Sequence, residues 1–277
     1  MRSARRTHSG SYATFAAVKS ESSASMKRNA IYLMLAFLLV GGCASQAERD
    51  EKAEKLAKRV EIHTQLGASY LARNQLDIAQ KELEQALEIN SDDSQANHIM
   101  GLLQIRLKQD DKAERYFQRA VRQKPENPDA RNSYGVFLCE RNRLDEADEQ
   151  FRAAIKNPLY KSPEQASLNA GLCQVKKPDN HAAAVYFRMV LEHNPRQPQA
   201  LLHLARYNYE TGKVLQARGF MQRYFEVAMD TPEALLLAFR IERVLGDKNA
   251  QASFALRLRG KFPQSEEARQ LRTLTGR

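Results

Sequence analysis

The apolar positions of the chain fall into three regimes. Residues 1–25 are rich in Ser and Arg and carry no hydrophobic periodicity. A continuous apolar run extends from Ala30 to Val40, and a charged, apolar-poor stretch occupies 44–59. From residue 60 onward, small and large apolar residues recur with a long period. Gly67, Gly101 and Gly135 are 34 residues apart, and Gly171 follows after 36. The same steps separate Ala79, Ala113, Ala147 and Ala183, and also Leu83, Phe117, Phe151 and Phe187; Ala217 and Met221 each follow after 34 more. Pro125, Pro195 and Pro263 share one place near the unit ends. Self-similarity of this kind predicts a stacked repeat protein, in which one unit cannot bury its apolar face alone. The register gives six units: 60–93, 94–127, 128–163, 164–197, 198–231 and 232–265. The third is two residues longer, with its surplus in the Pro158–Pro163 connection. Residues 266–277 are expected to close the array as a polar cap.

The rhythm resembles the tetratricopeptide repeat, two antiparallel helices per 34 residues. Small residues at its eighth and twentieth positions let the helices approach, and a large apolar residue at the twenty-fourth fills the space between them. A mid-helix glycine costs about 1 kcal/mol of helix propensity, so its recurrence needs a packing reason. The fifth unit has Ala205 at that place, and the sixth, with Phe239, is degenerate. The resemblance implies an all-α, right-handed α-solenoid of six helix pairs. Composition agrees: 12 Gly and 9 Pro are scarce for a β-sandwich, 3 Cys are too few for a disulfide scaffold, and there is no Trp.

The Ala30–Val40 run makes a helix of about 16 Å, half a bilayer core, so it reads as a signal-peptide segment rather than a span. Lys27-Arg28 precede it. The sequence Leu39-Val40-Gly41-Gly42-Cys43 resembles a bacterial lipobox, which implies acylation of the Cys43 thiol. An ordinary secretory signal with an incidental cysteine is the alternative. Residues 26–42 are therefore the expected signal and 43–59 the lipidated tether. Ala44 and Ser45 follow without an Asp, which by resemblance to sorted lipoproteins implies the outer membrane and its periplasmic face. Met26-Lys27-Arg28 is itself a complete start, which makes residues 1–25 a mis-assigned start or an extension. The formal charge is +10, from 43 Lys+Arg against 33 Asp+Glu. Arg2, Arg5, Arg6 and Lys19 against Glu21, plus Lys27 and Arg28, supply five of these charges, leaving about +5 on the mature chain. That weakens any case for nucleic acid.

No catalytic constellation stands out. His63, His98, His181, His193 and His203 make no HxxxH or HExxH spacing, and no Cys/His cluster has zinc spacing. There is no phosphate-cradling glycine loop. His63 holds the place where the repeat usually carries Trp, so it is expected to be packed. The reading is a non-enzyme with no cofactor, metal or small-molecule substrate. Cys139 and Cys173 fall late in the first helices of units three and four, which this fold stacks side by side; a disulfide or two buried thiols both fit.

The first helix of each repeat lines a concave face with its second, fifth, ninth, twelfth and thirteenth residues. Those places include Leu71, His98, Leu102, Ile105, Arg106, Asn132, Val136, Leu168, Leu172, Val175, Leu202, Arg206 and Tyr209. Some of the apolar residues belong to the core, yet their repetition predicts a groove for a partner peptide or helix. A lipobox, a short charged tether, six repeats and cysteines 34 apart together resemble the type IV pilus biogenesis lipoproteins (PilF/PilW), the pilotins. Segments such as LGASYLARNQLDIAQKELEQALEIN and SYGVFLCERNRLDEADEQF carry the likeness, which runs from about Met26 onward. The resemblance implies help in localising and multimerising the type IV pilus secretin, hence pilus biogenesis and twitching motility. It also implies that the repeats nearest the lipid hold the secretin and that Cys139 and Cys173 are bridged. A periplasmic adaptor for peptidoglycan hydrolases or synthases is the rival reading.

Overall fold

A computed structural model describes residues 48–276, so Cys43, the signal segment and residues 1–25 lie outside the described residues. The chain divides into two compact units, residues 1–62 and 63–277. The described part of the first is helical throughout. The second holds the repeats. Among the described residues there is no strand, and no helix is long and apolar enough to cross a membrane.

Helix α1 runs through residues 48–72. After it come α2 (Leu76–Ile89), α3 (Ser94–Arg106), α4 (Asp110–Gln123), α5 (Pro128–Glu140), α6 (Leu144–Ile155) and α7 (Pro163–Gln174). The second half contains α8 (His181–His193), α9 (Pro198–Glu210), α10 (Val214–Val227), α11 (Pro232–Leu245), α12 (Lys248–Lys261) and α13 (Glu266–Thr275). Odd-numbered helices are the first of each pair. Four of them start on proline, whose fixed φ and missing N–H suit the first helical position. Asp93, Asn127 and Thr231 cap α3, α5 and α11 by accepting from the N–H three residues on.

The turn inside each pair is set by one left-handed residue. Asn74, Lys108, Asn142, Gly212 and Gly246 have φ between 58° and 77° and hold the same place in their repeats. The N–H of the next residue reaches five residues back, as in Gln75→Tyr70 (2.9 Å) and Gln109→Gln104 (2.9 Å), satisfying a carbonyl that the helix end would orphan. The fourth repeat lacks this turn. There Pro178 interrupts the chain, α7 stops at Gln174 and α8 begins at His181. Gly171 precedes Phe187 by the same number of residues as Gly135 precedes Phe151, so both extra residues of the array fall between α6 and α7, and the α7–α8 connection is long only because α7 ends early.

Each pair closes on a small-to-large contact. A Cβ built on Gly101, Gly135 or Gly171 would lie 2.7–2.8 Å from the ring of Phe117, Phe151 or Phe187, and one on Gly67 would lie 2.6 Å from Leu83. The fifth repeat pairs Ala205 with Met221. The sixth reverses the sizes: Phe239 on the first helix meets the Ala255 position on the second, within one apolar cluster with Leu258, Ala268 and Leu271. What the sequence presents as degeneracy is an exchange of bulk across one contact. Ala268 and Leu271 of α13 are fully buried beneath its polar outer residues.

First helices also touch their counterparts, in two runs: α3 to α5 to α7, and α9 to α11 to α13. Between α7 and α9 the packing runs through side chains, with Leu168 in one apolar cluster with Ala200 and Leu204. In the first run Cys139 of α5 is bonded to Cys173 of α7, with their Cα atoms 5.8 Å apart, and both sulfurs are buried.

Replacing Gly135 by Ala sets propensity against overpacking. The new methyl gains about 1 kcal/mol in the helix, but displacing the Phe151 ring costs about 1–3 kcal/mol. Urea unfolding should show a net loss for Gly135→Ala, restored by adding Phe151→Leu. Gly260→Ala, in α12 with nothing within 4 Å of its Cβ position, should be neutral or stabilising; equal effects at both sites would refute the packing account. For the disulfide, the loop-entropy relation gives about 3.5–4 kcal/mol for closing a segment of this length. Cys139→Ala/Cys173→Ala should therefore unfold at lower urea, and reductant should lower the wild-type midpoint to match.

Candidate functional site: a two-part concave surface

The thirteen residues expected along the groove separate by burial. Leu71, His98 and Leu168 are 8%, 5% and 5% exposed. They are core, a correction to their assignment as groove contacts: Leu71 packs with Leu83, Met100 and Leu103, and Leu168 with Phe187 and Leu204. A first helix is flanked by its own pair and by the next repeat, so a residue toward the edge of the concave face is covered from two sides. Leu102, Ile105, Asn132, Val136, Leu172, Val175, Leu202, Arg206 and Tyr209 are half-buried, and Arg106 is exposed. Val175 caps the end of α7 and borders a small hollow with Phe187, His203 and Arg206.

The surface changes chemical character between α7 and α9. Its first part, on α3, α5 and α7, is apolar: Leu102, Ile105 and Val136 pack on the cluster of Phe117, Phe137 and Cys173 and keep one side open. An amide pair crosses it. Asn169 Nδ2 donates to Asn132 Oδ1 at 3.1 Å, and Gln165 Nε2 donates to Asn169 Oδ1 at 3.2 Å. Arg106 donates to Asn74 Oδ1 at its edge. Exposed apolar faces beside amides suit a peptide, whose side chains need contact and whose backbone needs hydrogen bonds. The second part, on α9, α11 and α13, is charged. Arg206 pairs with Glu233, Arg240 Nη2 donates to Gln270 Oε1 at 2.9 Å, and Tyr209 and Leu236 complete a hollow of about 340 Å³.

Asn169 and Arg240 are site residues that the repeat rule did not select, while Leu236, 4% exposed, is core like Leu71 and Leu168. Leu236 and Arg240 hold the fifth and ninth places of the sixth repeat, the same places that Leu202 and Arg206 hold in the fifth. Treating the sixth repeat as degenerate hid Arg240.

The histidines do not converge, and no group of three or more His, Cys, Asp or Glu among the described residues could hold a metal. His63 is half-buried, its Nδ1 2.8 Å from Glu82 Oε2, so it makes a polar contact rather than apolar packing. His181 Nδ1 lies 3.0 Å from the Tyr207 hydroxyl and His193 Nδ1 3.0 Å from its own helix at the Met189 carbonyl. His203 stacks on Phe187 with ring centroids 4.6 Å apart, and burial, aided by Arg206, lowers it to about 4. His98 Nε2 is 2.8 Å from Ser133 Oγ across the α3–α5 contact, while its Nδ1 is buried without a partner. Burial holds this imidazole down at about 4.

The helix pairs, their turns and the glycine–ring contacts define a repeat protein made for gripping other polypeptides. Its sequence matches the tetratricopeptide-repeat model over residues 64–128, 100–160 and 168–228, and the chain belongs to the tetratricopeptide-repeat family. Among its relatives is the type IV pilus assembly protein PilF of Pseudomonas aeruginosa, 28% identical over 243 residues, spanning 87% of this chain and 96% of that one. The solved structure of P. aeruginosa PilF superposes with a TM-score of 0.70 at 25% identity, over 79% of this chain and 99% of that one. PilW, described as a widely conserved type IV pilus biogenesis factor, superposes at 0.62 with 31% identity, over 78% and 98%.

The buried neutral His98 makes stability depend on pH. Its folded value lies below the unfolded value of about 6.5, so the unfolded chain binds more protons between pH 6.5 and 4. Stability is complete above that window and falls as pH drops through it, by about 2 kcal/mol at pH 5. Urea midpoints at pH 7.5 and 5.0 check this; His203, lowered likewise, adds a similar share, so His98→Phe should remove about half of the difference, and an unchanged pH slope in that variant would contradict the assignment.

Proposed function

We propose that this protein is an outer-membrane lipoprotein of the pilotin kind, acylated at Cys43 and facing the periplasm. In this reading it binds the type IV pilus secretin and promotes its localisation and multimerisation, so that pili form and twitching follows. One observation carries the reading: PilF and PilW align over 96–99% of their own lengths, so the likeness spans whole proteins rather than a single shared repeat. The lipobox ahead of the repeats supplies the anchor. More than one acyl chain holds a protein stably to a bilayer, at about 0.8 kcal/mol per buried CH₂. The apolar run over α3, α5 and α7 supplies the grip: Leu102, Ile105 and Val136 offer anchors, and the Asn132–Asn169 pair offers hydrogen bonds to a bound backbone.

Two measurements check this. In a deletion strain the secretin should run mainly as monomer on mild-detergent gels and twitching should be lost; unchanged multimers would dismiss the pilotin role. Leu102→Asp or Ile105→Asp should cut secretin co-purification from solubilised envelope at least tenfold while leaving helical circular dichroism intact. Loss of helicity in step with binding would make those residues core.

A further inference from the structure

Second helices carry the outer face of the repeats, and their charges are mostly matched. Arg152 of α6 pairs with Asp148, Arg218 of α10 with Glu242, and Arg257 and Lys261 of α12 share Asp230. Helix α4 differs. Lys112, Arg115, Arg119 and Arg122 are all exposed, and none has an ion pair or hydrogen bond among the described residues. The carboxylates of α4 are held elsewhere: Asp110 pairs with Arg141, and Glu114 lies 2.6 Å from Arg143. Both partners belong to the next repeat, so the helix directs its acids toward α5 and α6 and its bases outward. Of the acids of α4 itself, only Asp111 has no such partner among the described residues. Helical spacing puts residues 112, 115, 119 and 122 on one stripe about 15 Å long. Lys112, Arg115, Arg119 and Tyr116 surround an open hollow of about 280 Å³.

We propose that this outward stripe of α4 docks on the phosphate headgroups of an anionic membrane. Four exposed cations in an open row match a flat array of phosphates in both sign and extent. Headgroup attraction needs only charge and access, which the exposed row supplies. Tyr116, half-buried at the edge of the hollow, is a side-chain type that suits a water–lipid boundary. The inference leans on the acylation reading only for proximity, since a tethered protein meets the surface repeatedly. The test omits the acyl chain, so the two readings can fail separately.

The experiment uses the mature chain, residues 43–277, with Cys43→Ser, and vesicles of 30% phosphatidylglycerol in phosphatidylcholine at low ionic strength. Sedimentation should show binding to these vesicles, none to pure phosphatidylcholine, and release by salt. Each basic residue near such a surface contributes about fivefold in partitioning. Arg115→Gln/Arg119→Gln should therefore lower partitioning about 25-fold, while Lys81→Gln/Lys248→Gln, on other helices, should change it little. Circular dichroism confirms that each variant is folded. Absence of binding by the parent, or equal losses in both double variants, overturns the proposal. Binding to polyglutamate without binding to vesicles also overturns it, and assigns the stripe to an acidic protein segment instead.

Discussion

The structure depends on how closely two helix axes can approach within a repeat. That distance is set where the eighth residue of the first helix meets the twenty-fourth residue of the pair. Where the first is glycine, an aromatic ring or a leucine fills the space a Cβ would take. Close approach there brings the alanines at position twenty into contact, and Ala79, Ala113, Ala147 and Ala217 are fully buried. The left-handed turn then returns the second helix along the first. Stacking pairs of this kind leaves one face of every first helix uncovered, and the binding surface follows from that exposure.

Much of this was legible in the chain because period and contact are the same fact: a residue pair that must touch recurs at the repeat length. The helix pairs and the cysteines brought to adjacent first helices both descend from it. Two features were less accessible. The repeat rule assigns faces by position, but burial depends on neighbours, so Leu71, His98 and Leu168 read as groove while the structure covers them. The fourth repeat was harder still. Its spacing from Gly171 to Phe187 is the ordinary one, so nothing in the period announces that α7 ends early, before Pro178.

The consequence for function is a concave surface in two chemically distinct parts. The first is apolar with amides, and it is braced by the Cys139–Cys173 bond between α5 and α7. The bracing residues sit directly beneath Ile105 and Val136, so stability and the shape of the gripping face are the same property there. The second is built from Arg206, Glu233 and Arg240, which already satisfy one another or a neighbour. A partner meeting the first part gains contact with apolar surface; one meeting the second must exchange existing ion pairs for its own.

The reversal of bulk in the last repeat bears on how such arrays change over evolutionary time. With Phe239 and Ala255 standing where repeats two to four place glycine and a ring, the helix pairs are not interchangeable cassettes. Recombination that joined the sixth first-helix to the fourth second-helix would force two phenyl groups into one space. The reciprocal cross would set glycine against alanine and leave a hole. Unequal crossing-over can therefore lengthen or shorten this protein cleanly only in whole helix pairs, and the terminal pair must be inherited intact.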